Sequence, residues 1–428
     1  MTLKLPPIIL TCSLFFAALA TPSGAYGATA FDYIISGDVI TITGCSSTCP
    51  SNLSIPDEID GRTVRTIADG AFAGQSLVSV KLPWLTTQIG SWAFANNYLS
   101  SLKMPSALQG VGVGAFSNNS LSSINFRNGL VSIGDYAFYD NAITSVTLPD
   151  STQSIGEFAF YQNAISQLWL GNSIETIGRG AFGSNGITTI ELPDTLTGIS
   201  EGAFASNKLS ALVIPNSMIS IGKNAFHGNV LRALRIGNQV TSIGEGAFSF
   251  NALSNLSIPS SVTSIGVDAF SDNELGNVTF LGNAPESGGQ VFSSNPGLAA
   301  VSRYASATGW AALWGSVPVQ IVPERATAVV KPSVQGTLRV GRTIAAVKGT
   351  WTGYPAPTFT YQWYSCSSAI AAARTSVPST CKKISGATRS TFKVTSAQRG
   401  KFIAVLIKGA SVGTAASVWL SKALARVR

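Results

Sequence analysis

The chain has 428 residues, 45% of them hydrophobic and only 11% charged, with five cysteines and a single histidine, His227. Residues 1–324 carry 12 Lys and Arg against 20 Asp and Glu, a net of −8, whereas residues 325–428 carry 16 Lys and Arg and no acid, a net of +16. One histidine rules out paired-histidine chemistry and leaves Ser/His/Asp or Cys/His catalysis only His227, a turn-column residue, to build on, and so sparse a charge content suits a repetitive array better than a cytosolic enzyme.

Residues 1–30 read as an export signal: Lys4 near the amino terminus, an apolar core from Ile8 to Ala20, then small-residue cleavage choices ending at Ala20, Gly27 or Ala30. The core is too short for a permanent membrane span. Cys12 is a poor lipid-anchor site, because Thr11 precedes it and apolar sequence follows. Residues 31–66 alternate apolar and polar side chains (Tyr33, Ile35, then Val39, Ile40, Ile42) and carry Cys45 and Cys49. A repeat stack needs an atypical end to shield its first core layer, and this segment is the expected N-terminal cap.

Residues 67–302 repeat with a period of 22. Phe72, Phe94, Phe116, Phe138, Phe160, Phe182, Phe204, Phe226, Phe248, Phe270 and Phe292 mark eleven copies with no insertion or deletion, the signature of a solenoid. Ten of these phenylalanines follow Ala, and ten have Asn three residues later. Ile or Val stands five residues before the Phe in ten copies, usually followed by Gly, as in Ile133-Gly134 and Ile265-Gly266. Apolar residues come five, eight and ten residues after it, as in Leu209, Leu212 and Ile214, an LxxLxL pattern. Its alternation turns two side chains inward and the one between them outward, so each repeat is expected to supply a short parallel strand. Strands about 4.8 Å apart make a rod or arc roughly 50 Å long. One repeat buries too little apolar surface to offset the ordering of its own backbone, so neighbours must cover it on both sides.

The pattern resembles the BspA-like leucine-rich repeats of bacteria, close to IGxxAFxxNxLxxLxLP. The resemblance implies a solenoid fold and a part in surface adhesion or ligand recognition, since similar repeats occur in bacterial surface antigens and adhesins. Residues 303–326 then read as a C-terminal cap, with Tyr304, Trp310 and Trp314 closing the core, and a linker from Pro323 to Ala326.

From residue 327 the texture changes to short alternating segments with spaced turns. Phe359, Tyr361 and Trp363 alternate as on a half-buried strand, and Gly336, Gly341, Gly349, Gly386 and Gly400 punctuate the rest. This predicts an antiparallel β-sandwich over residues 327–428. The segment is similar to Ig-like modules of secreted actinobacterial proteins, whose pattern is near GTWxGxPxPTxxYQWxxC; Gln398 and Arg399 depart from the acidic residue common there. Cys366 and Cys381 match the paired cysteines of such modules. Residues 402–420 are largely apolar and followed by Lys422, Arg426 and Arg428, like a membrane anchor, but Lys408, Gly409 and Gly413 interrupt them and favour two strands. The whole therefore reads as mainly β: a leucine-rich repeat solenoid followed by an Ig-like sandwich.

With Cys12 in the leader, four cysteines remain in two local pairs, Cys45/Cys49 and Cys366/Cys381, the arithmetic of two disulfides in an exported protein. A metal at Cys45 and Cys49 is the rival, but it lacks further ligands. No metal or cofactor is expected. The Asn column (Asn97, Asn119, Asn141, Asn163, Asn185, Asn207, Asn229, Asn251, Asn273, Asn295) reads as a buried ladder bonding the backbone at a bend rather than a sugar-binding row. His227 falls in a turn column and reads as solvated. Glu157, Glu201 and Glu245 recur two repeats apart, an exposed stripe more than an acid/base pair.

The candidate ligand surface is the outward position nine residues after each Phe: Lys81, Lys103, Asn125, Thr147, Trp169, Glu191, Val213, Arg235, Ser257 and Thr279. It varies where other columns are constrained by packing, and solenoids bind on such a face. Lys81, Lys103, Trp169, Glu191 and Arg235 are its marked members, Trp169 above all. A variable solvent face with one stray aromatic is the competing reading. The expected protein is secreted or on the cell surface and not an enzyme. Its solenoid recognises a protein or glycan, and its basic module associates with an anionic envelope polymer rather than nucleic acid. Docking of that module on the acidic half, an envelope spacer, and a glycan hydrolase using solenoid carboxylates are the alternatives.

Overall fold

The structure, a computed structural model, describes residues 30–411 and 414–428; the expected export signal lies outside the described residues except for Ala30. Neighbouring repeats are joined by three columns of backbone hydrogen bonds, of which the turn column is unbroken and the two strand columns are interrupted. The first is the two-residue strand ending at the Ile column, paired in parallel and in register 22 residues apart: Ile133 with Ile155, Ile155 with Ile177, Ile221 with Ile243. The second is the turn that holds the Phe, where Phe94 N–H donates to Ala115 O (2.8 Å) and Phe182 N–H to Ala203 O (2.9 Å). The third is the LxL segment, paired in parallel as Ser145–Thr147 with Gln167–Trp169, Ala211–Val213 with Ala233–Arg235, and Asn255–Ile258 with Asn277–Phe280.

This corrects the expectation of one strand per repeat. The LxL segments at residues 101–103, 123–125 and 189–191 lie in the same column but are not paired as strands. The more continuous sheet is instead built on the Ile column, which joins the cap without a break.

The core is a stack of rings. Phe72 through Phe270 are fully buried and Phe292 nearly so. Successive centroids are 5.2–5.9 Å apart and the planes lie within 24°, an arrangement that adds to the area each ring buries. The Ala before each ring is the small side chain that lets neighbouring turns close, and Ala93, Ala115, Ala137 and Ala159 are fully buried. The Gly after Ile is explained by the same approach: a Cβ on Gly112 would lie 2.6 Å from the carbonyl carbon of Gly90 one repeat earlier. Residues two before and two after each Phe are left-handed in all eleven repeats. Gly, Asn or Asp often stands there, at little cost. Trp92, Tyr136, Phe158 and Phe250 occupy the same conformation, with φ of 53–58°.

Both ends are closed by aromatic side chains set across the stack. Phe31 meets Phe72 edge-on at 6.4 Å; at the other end Trp310 and Trp314 each lie 4.8 Å from Phe280. The cap, residues 31–66, opens with an antiparallel hairpin, Phe31–Ser36 and Val39–Cys45, whose second strand pairs in parallel with Arg62–Ile67. Asn52–Ser54 already pairs with Ser79–Lys81 as an LxL segment does, so the cap contains half a repeat. Cys45–Cys49 and Cys366–Cys381 are disulfides.

The linker expectation is overturned. Val317–Val322 pairs with Val301–Tyr304, and after the single residue Pro323 the strand Glu324–Ala328 pairs with Trp351–Tyr354. Ala326 is fully buried, while Arg325 on the opposite face reaches Ser417 Oγ (3.1 Å) and Ala416 O (3.2 Å). The C-terminal unit therefore begins at Glu324, and its alternating burial holds as strand what composition suggested was loop.

The rest of the unit is antiparallel. A four-stranded sheet runs in the order Cys381–Lys383, Thr358–Cys366, Phe402–Ala410, Ser417–Leu420, and a three-stranded sheet joins Ser333–Gln335, Thr343–Val347 and Thr391–Lys393. Ile344, Trp363, Val394, Val405 and Ile407 form one buried cluster between them, an arrangement compatible with an Ig-like sandwich. Phe402–Ala410 is paired on both sides, and no helix among the described residues is long and apolar enough to cross a membrane.

Candidate functional site

The inward and outward alternation of LxL leaves the column nine residues after each Phe in water. Lys81, Lys103, Asn125, Thr147, Trp169, Glu191, Val213, Arg235 and Ser257 are exposed and Thr279 is half-buried. Trp169 is 54% exposed, although it lies in a strand paired with Ser145–Thr147.

Two open grooves lie on this face, and the candidate residues divide between them. Trp169, Glu191, Val213 and Arg235 line one of about 740 Å³, together with Asp194 and Asn216. Lys81, Lys103 and Asn125 line the other, of about 930 Å³, with Trp84, Arg127, Asn128 and Asp57. The groove around Trp169 offers an aromatic face, an apolar patch at Val213 and charges of both signs. Glu191 and Asp194 share it, but both are exposed, without the apolar enclosure that carboxylate pairs use to cleave glycosides.

Trp84, Arg127 and Asp194 were not among the candidates read from sequence. The signal was available in two further columns. Twelve residues after the Phe the repeats from Phe94 to Phe248 carry Ser106, Asn128, Asp150, Asn172, Asp194, Asn216, Asn238 and Ser260, whereas the first repeat has Trp84. Eleven residues after it Pro83, Pro105, Pro149, Pro193, Pro215 and Pro259 recur, and Arg127 is one of five departures, with Gly171, Gly237, Leu281 and Arg303.

The Asn ladder lies away from both grooves and is engaged with backbone. Asn207 is typical: its Oδ1 accepts the Ile187 N–H (3.0 Å), and its Nδ2 donates to Phe182 O (2.9 Å), Phe204 O (3.2 Å) and Ala205 O (3.3 Å). Asn97, Asn207, Asn229, Asn273 and Asn295 are buried, and Asn119, Asn141, Asn163, Asn185 and Asn251 are half-buried under the same bonds. Each amide ties its own bend to the preceding repeat.

His227 is not the solvated residue its column suggested. It is half-buried, with Nδ1 2.8 Å from Ser249 Oγ and the Phe250 ring 5.2 Å away, and burial pushes its pKa below the ordinary histidine value. Glu201 pairs with Arg179 (3.5 Å) and Glu245 with Lys223 (2.9 Å) across adjacent turns. These exposed pairs contribute little. No cluster of three or more His, Cys, Asp or Glu that could hold a metal occurs among the described residues.

The BspA type leucine rich repeat region matches in six copies over residues 46–166 and 175–299, more than half of the chain. The chain belongs to this family. Among solved structures, this BspA-type protein is similar to a leucine-rich repeat protein from Bacteroides ovatus, with 21% identity over 69% of this chain and 76% of that one, and a TM-score of 0.49. It is also similar to the pneumococcal vaccine antigen PcpA, with 16% identity over 68% of this chain and 92% of that one, and a TM-score of 0.44. A leucine rich cell surface protein from Faecalibacterium prausnitzii gives 19% identity, coverage of 67% and 96%, and a TM-score of 0.35. No curated protein matches the chain. The BspA-type family and fold are those of non-enzymatic repeat proteins.

Proposed function

We propose that this BspA-type protein is an exported recognition protein that binds a protein or glycan ligand on the exposed sheet face of its solenoid. The observation that carries this is the convergence of Trp169, Glu191 and Arg235, spread over four successive repeats, in one groove on the outward face of the LxL column. A surface location is in keeping with the family. The basic residues of 325–428, with no acid among them, are the part we assign to an anionic envelope polymer; release from purified envelopes between about 0.05 M and about 0.5 M salt is the behaviour expected of it.

The test is an array of purified glycans and extracellular proteins probed with the full chain and with a Trp169→Ala, Arg235→Ala double variant. An exposed aromatic anchor and its charged neighbour carry enough binding energy that at least a tenfold loss of affinity is expected for a bound array member. A variant that binds every member as the parent does would sink the proposal.

A further inference from the structure

The second groove on the sheet face is chemically unlike the rest of the acidic solenoid. Lys81, Lys103 and Arg127 converge there, within residues 1–324 that carry a net −8. The ion pairs among the described residues are Arg179–Glu201 and Lys223–Glu245, so none of the three cations is neutralised by a carboxylate. Lys81 and Lys103 occupy the same column of successive repeats, where like charges side by side repel. The lone carboxylate in the groove, Asp57, is already engaged: its Oδ1 accepts the Trp84 N–H at 2.9 Å. Trp84 itself is 60% exposed, and its carbonyl accepts from Ser106 Oγ at 3.1 Å. The indole is thus held at the backbone and left open at the ring.

We propose that this groove binds an anionic saccharide, with a sugar ring laid against Trp84 and its carboxylates or sulfates on Lys81, Lys103 and Arg127. The proposal rests on the reading that the sheet face is the binding face. An indole face takes the C–H side of a sugar ring, the serine and asparagine side chains around it suit hydroxyl groups, and guanidinium and ammonium groups suit acid oxygens. An acidic peptide fits less well: the negative face of the exposed Trp84 indole repels a carboxylate side chain and is better matched by the C–H side of a sugar ring. The charge complementarity, not the groove's size, selects the ligand.

The experiment is calorimetric titration of the full chain with four probes of similar length: an oligogalacturonate, a sulfated oligosaccharide, a neutral oligogalactose and hexaglutamate. The proposal expects binding of the first, the second or both, which distinguishes carboxylate from sulfate, and at least tenfold weaker binding of the neutral sugar and the peptide. Trp84→Ala, which changes no charge, is expected to weaken it at least tenfold, as is the Lys81→Ser, Lys103→Ser double variant; all three residues are exposed, and an unchanged circular dichroism melt verifies folding. Hexaglutamate bound as tightly as the sugars, or full binding retained in both variants, as binding by the basic C-terminal residues would give, would overturn it. So would no binding of any probe. If Trp169→Ala with Arg235→Ala abolishes the titration while the Trp84 and lysine variants do not, this inference fails and the sheet-face reading stands.

Discussion

Replacing Phe182 by Ala is expected to destabilise the solenoid by about 3–5 kcal/mol, the range for truncating a fully buried aromatic side chain. Phe182 is entirely buried, 5.3 Å from Phe160 and 5.5 Å from Phe204, so its removal empties a layer and strips one face from each neighbour. Those neighbours cannot close over the gap, because the backbones of successive turns are already in contact through the Ala and Gly columns. A repeat touches only the repeats beside it, so a weakened interior layer also divides the array into two blocks of repeats. Urea unfolding followed by circular dichroism should therefore show a lower midpoint and a broader or split transition. Phe292→Ala, one layer from the end, should leave the transition single. A loss below about 1 kcal/mol for Phe182→Ala would show that the ring stack is not what holds the repeats together.

Asn207→Ala should cost about 2–4 kcal/mol. The change leaves the Ile187 N–H without its acceptor and withdraws the donor that Phe182 O, Phe204 O and Ala205 O share, and each buried polar group left unpaired costs roughly 1–3 kcal/mol. Asn207→Asp separates hydrogen bonding from packing, since it keeps the shape and the acceptor but turns an oxygen toward three carbonyls. The ionised form is disfavoured in the folded chain, so its carboxyl pKa is raised above the unfolded value of about 3.9. By the sign of the linkage, the variant regains stability as pH falls through the raised folded pKa and loses it again as pH rises. The alanine variant lacks that pH dependence. Equal midpoints for Asn207→Asp and the parent at neutral pH would exclude the bonding role.

These two columns were legible from the amino acids alone because a solenoid is nearly invariant to translation by one repeat. The contacts of Phe182 are those of Phe160 moved 22 residues along, and a residue type that must recur for packing does recur. Period, core, Asn bend, both ends and both cysteine pairs follow from local pattern for that reason. The strands at the Ile column were harder to read, since two residues are too few to show alternation; pairing with their neighbours makes them strand. Glu324–Ala328 misled in the same way: Pro323 and a charged pair look like linker, and only the partner Trp351–Tyr354 makes a strand of them.

The grooves belong to tertiary structure altogether. Lys81, Trp84, Lys103 and Arg127 stand nine, twelve, nine and eleven residues after their phenylalanines, in three columns of three repeats, and no single column contains the set. Trp169, Glu191 and Arg235 share the column at nine, which the sequence does show, but Asp194 joins them from the column at twelve. Which columns share a depression depends on how the outward strand position meets the turn beyond it, and on which long side chains happen to stand at neighbouring repeats. Packing repeats itself and can be read from one unit. Recognition depends on the places where the units differ, and those acquire meaning once the chain is wound.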